Sequence, residues 1–393
     1  MSVAAKTALS VLPYHRAQIE EEEIRAVTEA LQSGWLSSGP RVREFEASFG
    51  QYVGARHAIA MSSCTAALHL AFAAIGLSED DEVILPTMTF ASSGEVVLYF
   101  KARPVLVDCA RESFHMDPDQ VAAAITSRTR AILPVHYAGY PCDMDAILAI
   151  AHQHGLKVIE DAAHALPCRY KGKMIGTLGD ITCFSFYATK TLTTGEGGMA
   201  TTENPEYAER LRILSLHGIS KDAWKRYTAA GTWRYDILEM GYKYNLTDLQ
   251  ASLGLAQLNK CNAMWARRQS IAEYYNRALA TSDAYATPPL PAADAQHAWH
   301  LYVLQLNRSV LRIDRNRIID ELKDRGIGTS VHFIPLHMHT LYQKQLGYSS
   351  GSFPNAEERF ERAISLPIYP GMTGGDCERV VAALHEIARE YSR

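Results

Sequence analysis

Between residues 58 and 201 the chain alternates short apolar runs with amphipathic stretches, and few architectures accept that order. The runs are Ala58–Met61, Glu82–Leu85, Arg103–Val107, Ala131–Val135, Lys157–Glu160, Ile181–Phe186 and Gly198–Thr201. Several hold unbroken valine and isoleucine, as strands covered on both faces do. Helical stretches lie between them. Thr65–Ile75 follows two serines and stops at Gly76, and Met144–His154 follows Asp143 and stops at Gly155. Each has a polar N-cap and a glycine just past its end. Strand and helix in regular succession predict an α/β fold, a mostly parallel sheet between helices.

The pattern changes near residue 260. A long helical stretch, Leu246 to Leu279, runs into the break Thr287-Pro-Pro-Leu-Pro. A strand (Leu301–Leu306), a helix (Arg315–Arg325), a strand (Thr329–Phe333) and a helix (Asp376–Tyr391) follow. This predicts a large domain over 15–260 and a smaller α+β domain over 261–393, with residues 1–14 packing on the latter. Residues 217–241 read as an irregular excursion, long enough to suggest a functional loop. Its Arg, Lys and Trp residues are candidate contacts to a nucleotide diphosphate.

Composition removes several classes of function. The net charge is −4 with acids and bases interspersed, so nucleic acid is not an expected partner. No apolar stretch approaches the roughly 20 residues of a membrane helix, and the acidic run Glu20–Glu23 does not suit a signal peptide. The 7 cysteines are scattered, without a C-x-x-C pair. That fits a reducing cytoplasm and speaks against disulfides or structural zinc. His297-x-x-His300 and His337-x-His339 lack supporting carboxylates, so no metal is expected.

Three local features carry chemistry. The strand Lys157-Val-Ile-Glu-Asp161 ends on acids, and ligands of parallel sheets bind beyond the carboxyl ends of strands. Alone, Asp161 is more simply a cap for the next turn. Lys190 follows a strand in a Thr- and Gly-rich loop, where a desolvated amine becomes a nucleophile toward carbonyls. Alone, it is more simply a surface charge. Ser62-Ser63-Cys64-Thr65 opens a helix, whose free N–H groups suit a phosphate. Alone, it is ordinary capping. In this order the three match the needs of pyridoxal 5'-phosphate: a phosphate cradle, a carboxylate for the ring nitrogen and an amine for the aldehyde.

Longer motifs point the same way. They include Gly34-Trp-Leu-Ser-Ser-Gly-Pro40, Ser63-Cys-Thr-Ala-Ala-Leu68, Pro86-Thr-Met-Thr-Phe90 and Pro134-Val-His-Tyr-Ala-Gly139. Glu160-Asp-Ala-Ala-His-Ala165, the Lys190 loop through Gly198, and Gly241-Tyr-Lys-Tyr-Asn-Leu-Thr-Asp248 complete the set. In these motifs, almost end to end, the chain resembles the DegT/StrS-type nucleotide-sugar aminotransferases, pyridoxal-phosphate transferases of fold type I. The resemblance implies a seven-stranded, mostly parallel sheet and a smaller C-terminal domain. His297-Ala-Trp-His300 and Arg325-Gly-Ile-Gly-Thr fit the members that aminate UDP-linked 4-keto sugars, such as those making UDP-4-amino-4-deoxy-L-arabinose.

The resemblance also implies roles. Lys190 would hold the cofactor and shuttle the proton. Asp161 would face the ring nitrogen, His164 the ring hydroxyl and Phe90 the ring face. Cys64 and Thr65 would offer backbone N–H groups to the phosphate, and Ser185 a hydroxyl. Lys243 and Asn245 would reach the phosphate from a neighbouring subunit, making a homodimer with shared sites. Trp35, Ser38 and Tyr187 are candidates for the sugar site, and His332 and His337 for closing over it. Each has a structural rival: Phe90 and Trp35 as packing, the histidines as satisfied interior groups, Lys243 as a solvated charge.

The implied reaction takes the amino group of L-glutamate, releases 2-oxoglutarate, and places the amine on a nucleotide-linked keto sugar. A pyridoxal-phosphate dehydratase on the same fold is a rival, though such relatives usually lack the lysine. A non-catalytic regulatory relative is another. Cys64 stands where the family commonly has glycine, Pro167 where a glycine often follows Ala-His-Ala, Tyr187 where some relatives have histidine, and Lys243 and Asn245 where asparagine and arginine are frequent.

Overall fold

The computed structural model describes residues 11–220 and 234–393. Its main sheet has 7 strands, ordered His57–Met61, Gly198–Thr202, Ile181–Ser185, Lys157–Asp161, Thr129–Ile132, Glu82–Pro86 and Arg103–Val107. Gly198–Thr202 runs antiparallel to both its neighbours, and the other pairings are parallel. All the strands expected between residues 58 and 201 are present. The fourth ends early, and its Val135 pairs with Asp161 only as an isolated bridge.

The helices follow from their caps and burial. Cys64–Ala74 starts where Ser63 Oγ accepts the Ala66 N–H at 3.0 Å. It is apolar nearly all round because the sheet and neighbouring helices enclose it. Met144–His154 keeps one apolar side, with Met144, Ile147 and Ala151 buried. Asp143 caps it, and Gly155 ends it at φ 66°, a left-handed conformation that suits glycine.

Two expectations are corrected. The stretch Leu246–Leu279 is not one helix. Asp248–Asn259 and Cys261–Leu279 meet at Lys260, whose torsions leave the helical range and whose Nζ is held by Glu20 at 2.8 Å and Glu23 at 2.7 Å. Thr329–Phe333 is not a strand. Only Ser330 pairs, with Ser365, while Ser330, His332 and Phe333 line a cavity. The smaller sheet is completed instead by Ala363–Leu366, which pairs with Tyr302–Leu306 beside Tyr285–Ala286. That strand follows a helix directly and has only 4 residues, too few for a periodic signal.

The smaller sheet has its own core of Tyr302, Leu304, Ile318, Leu322, Val380 and Leu384. Leu12 packs into it and bridges to Ile327. Leu336, Tyr342, Phe353 and Ala356 pack instead into the core of the main sheet. The backbone just before Tyr302 and that after Gly328 therefore lie against the C-terminal ends of the parallel strands, where a cavity forms.

Candidate active site

A cavity of about 470 Å³ lies beyond the ends of the parallel strands. Five connections from the main sheet build it: Ser63–Thr65, Thr89–Ser92, Val135, Asp161–His164 and Ser185–Lys190. The opposite wall is Tyr14, His15, His300, Ser330, His332, Phe333 and Ile368.

Asp161 ends its strand and is buried. Its Oδ2 accepts from Ser93 Oγ at 2.7 Å, and Oδ1 accepts from the Ala163 N–H at 3.1 Å. Ser93 is held in turn by Thr89 Oγ1 at 2.7 Å. The two bonds fix the direction of the carboxylate. Lys190 is half-buried on the same cavity. Burial pushes its ammonium from the usual 10.5 down to about 8, against the opposing pull of Cys64 and Asp161. An amine so placed exposes a neutral, nucleophilic fraction near neutral pH.

His164 is buried, and burial, with Lys190 and His332 nearby, holds its pKa well below the usual value. The neutral ring accepts the Ala138 N–H on Nδ1 at 3.2 Å, which leaves the proton on Nε2. His300 packs on it at 4.4 Å between ring centroids. His332 is likewise pushed down by burial, to about 4.

At the other end, the first-turn N–H groups of Cys64 and Thr65 have no intrahelical acceptor. Gly198 shapes this end. A Cβ there would come within 2.4 Å of Ser63 C and O and 2.6 Å of Cys64 N. Only glycine lets the antiparallel strand pass under the helix start. Cys64 itself is accommodated because its side chain turns away, with Sγ at 3.6 Å from the Cys183 carbonyl.

The structure thus gathers Cys64, Thr65, Phe90, Asp161, His164, Ser185, Tyr187, Lys190 and His332 on one cavity. Phe90 is 57% exposed and touches Phe333, so it is not a core residue. Other candidates lie elsewhere in the chain. Trp35, Ser38, Lys243 and Asn245 line a separate cavity of about 780 Å³. There Asn245 Nδ2 donates to Ser38 Oγ at 2.7 Å and its Oδ1 accepts from Lys243. His337 is buried away from both, between Thr87 Oγ1 at 2.7 Å and Glu357 Oε1 at 2.9 Å. It is an interior histidine with both ring nitrogens satisfied. Of the 217–241 excursion, residues 221–233 lie outside the described residues.

Sequence reading missed Ser93, Thr89, Tyr14, His15 and His300. The i, i+4 spacing of Thr89 and Ser93 at a strand-to-helix junction was a usable signal for the first two. Tyr14 and His15 gave none: they reach the cavity only because Leu12 anchors the N-terminal segment on the second core. His15 Nε2 then donates to the Ala188 carbonyl at 3.1 Å.

With this geometry in hand, the relatives are informative. The model of the DegT/DnrJ/EryC1/StrS aminotransferase family matches residues 17–385. The chain belongs to that family. It is 53% identical over 381 residues to the uncharacterized protein MJ1066 of Methanocaldococcus jannaschii, covering 97% of this chain and 98% of that one. It is 50% identical to the spore coat polysaccharide biosynthesis protein SpsC of Bacillus subtilis, covering 96% of this chain and 97% of that one. Among solved structures, the putative sugar aminotransferase Spr1654 of Streptococcus pneumoniae superposes with a TM-score of 0.91 at 34% identity, over 96% of this chain and 99% of that one. It has been solved in PMP-, PLP- and apo-forms.

The protein is therefore a pyridoxal-phosphate-dependent sugar aminotransferase of fold type I. The cavity fits the cofactor on its own terms. It offers an anion site at a helix start opened by Gly198, a carboxylate clamped by Ser93, and a lysine of depressed pKa on one wall.

Proposed function

We propose that the enzyme moves the amino group of L-glutamate to C4 of a UDP-linked 4-keto sugar, in the cytoplasm, as a homodimer. The observation that carries the aminotransfer is the placement of Lys190 and Asp161 on one cavity with the helix start at Cys64. Bound there, pyridoxal phosphate supplies an aldehyde that accepts amines and a ring that withdraws electrons from the adjacent carbon. Lys190 would hold it covalently. Cys64, Thr65 and Ser185 would hold its phosphate, and Asp161 its ring nitrogen. Lys190 Nζ, on the cavity wall, would also take the proton from the substrate carbon. Ser93 Oγ, donating to Asp161 Oδ2, would keep that carboxylate aimed at the ring. His164, neutral with its proton on Nε2, would donate to the ring hydroxyl.

The nucleotide and the position of amination rest on the sequence motifs shared with 4-aminating members. The role of SpsC in spore coat polysaccharide biosynthesis supports a sugar destined for a polymer. The cytoplasmic assignment is supported by the 7 cysteines, all unpaired and buried. No described helix is long and apolar enough to cross a membrane.

A dimer accounts for the separation of Lys243 and Asn245 from the Lys190 cavity: each would complete the partner's site. The test is an assay of the loaded enzyme with L-glutamate and 4-keto sugars linked to UDP, dTDP or GDP. Amino sugar and 2-oxoglutarate should form in equal amounts, with the UDP sugar preferred. Formation with dTDP or GDP sugars alone would overturn the nucleotide assignment. Mixing inactive Lys190→Ala and Asn245→Ala chains should restore part of the activity, and no recovery would count against shared sites.

A further inference from the structure

A cavity of about 810 Å³, distinct from the active site, opens beside the smaller sheet. Side chains alternate across its central strand. Tyr302, Leu304 and Leu306 enter the second core, while Leu301, Val303 and Gln305 line the cavity. A glutamine is out of place in that apolar row. Gln305 is only 7% exposed, and backbone pairing with Ala286 and Ala363 fixes its position. Its Nε2 donates to the Arg359 carbonyl at 3.4 Å, but its Oε1 is buried without a partner. Burying an amide oxygen unpaired is unfavourable, so such atoms usually await a ligand or water.

Arg359 faces the same space. Its guanidinium lies 5.2 Å over the Phe114 ring, its Nη2 donates to the Arg111 carbonyl, and its Nε is also buried without a partner. Arg111 and Arg362 complete the basic lining, against Glu112 and Glu358. Arg362 is paired with Glu358 at 2.9 Å. Glu112 is the other acid on that lining. Tyr137 is the wall between the two cavities: its ring lines this one, and its hydroxyl donates to the carbonyl of His332, which lines the other.

We propose that this cavity binds a small anion that also carries an N–H or O–H donor, the chemistry shared by amino acids and nucleoside phosphates. Its oxyanion meets Arg111 and Arg359, and its donor meets Gln305 Oε1. This site goes beyond the aminotransfer reading and does not depend on which sugar is aminated.

Calorimetric titration of the full-length Lys190→Ala protein, loaded with pyridoxal phosphate so that no turnover intrudes, tests it. The probes are uridine monophosphate, L-glutamate and inorganic phosphate. At least one of the first two should show a binding component that weakens about ten-fold or more in Gln305→Met, which removes the acceptor, and in Arg111→Met, which removes the cation, as loss of a hydrogen bond to a charged partner predicts. The probe that binds identifies the source of the ligand. Arg111 is exposed, so its replacement decides the matter even if Gln305→Met fails to fold. A titration in which neither substitution weakens any component would overturn the proposal, and so would phosphate binding as tightly as the larger probes.

Discussion

Glu160 and Asp161 are adjacent on one strand and both buried, yet their surroundings are opposite. Glu160 turns into a sealed network. Its carboxylate accepts from Thr182 Oγ1 at 2.6 Å, the Gly179 N–H at 2.8 Å and His136 Nε2 at 2.9 Å. Burial pushes its pKa up, but these partners outweigh burial and hold it below the usual value. Asp161 turns the other way, into the cavity. Strand parity alone separates a carboxylate that holds the fold together from one kept for a ligand.

The contrast is broken most forcefully by deleting each acid. Asp161→Ala should lower kcat roughly 10²–10⁴-fold, the scale of a lost catalytic electrostatic partner, with little change in the melting temperature of the apoprotein. Glu160→Ala should do the reverse. It strands several buried donors and should cost roughly 3 kcal/mol or more of stability, read by denaturant titration, while the folded fraction keeps its kcat. A stable, inactive Glu160→Ala enzyme would undo the distinction.

A finer cut is Ser93→Ala, which removes one hydrogen bond to Asp161. It should lower kcat by about ten-fold, corresponding to about 1.4 kcal/mol. The histidines repeat the comparison. His337→Phe should lower stability and spare KM, whereas His332→Phe should raise KM, both read from steady-state kinetics beside a melting curve.

The smallest effect is a pH dependence. The Lys190 ammonium is shifted from 10.5 down to about 8, so below pH 8 it is protonated in both folded and unfolded chains. Between about 8 and 10.5 the folded apoprotein has released a proton that the unfolded chain retains. Stability should therefore rise with pH across that window. The rate at which the apoprotein takes up pyridoxal phosphate should climb with a midpoint near 8, followed by visible absorbance. A midpoint near 10.5 would mean that the lysine is not desolvated.

Much of this was legible beforehand. The succession of strands along the chain, the caps at Ser63 and Asp143, and the placement of Cys64, Asp161 and Lys190 at strand ends follow from local periodicity and the rule for parallel sheets. The opposite wall was not legible. His300, His332 and Tyr14 enter from distant segments whose direction is set by packing on the second core, and no local pattern encodes that. The same limit explains His337, which has a motif's appearance but is consumed by Thr87 and Glu357. It also explains Thr329–Phe333, apolar enough for a strand but turned into the cavity.

The covalent role of Lys190 is open to direct test. Borohydride reduction of the loaded enzyme, followed by peptide mass mapping, should place the cofactor on the peptide containing Lys190 and leave the other lysines unmodified. Cofactor fixed to a different lysine, with Lys190 recovered unmodified, would contradict the account.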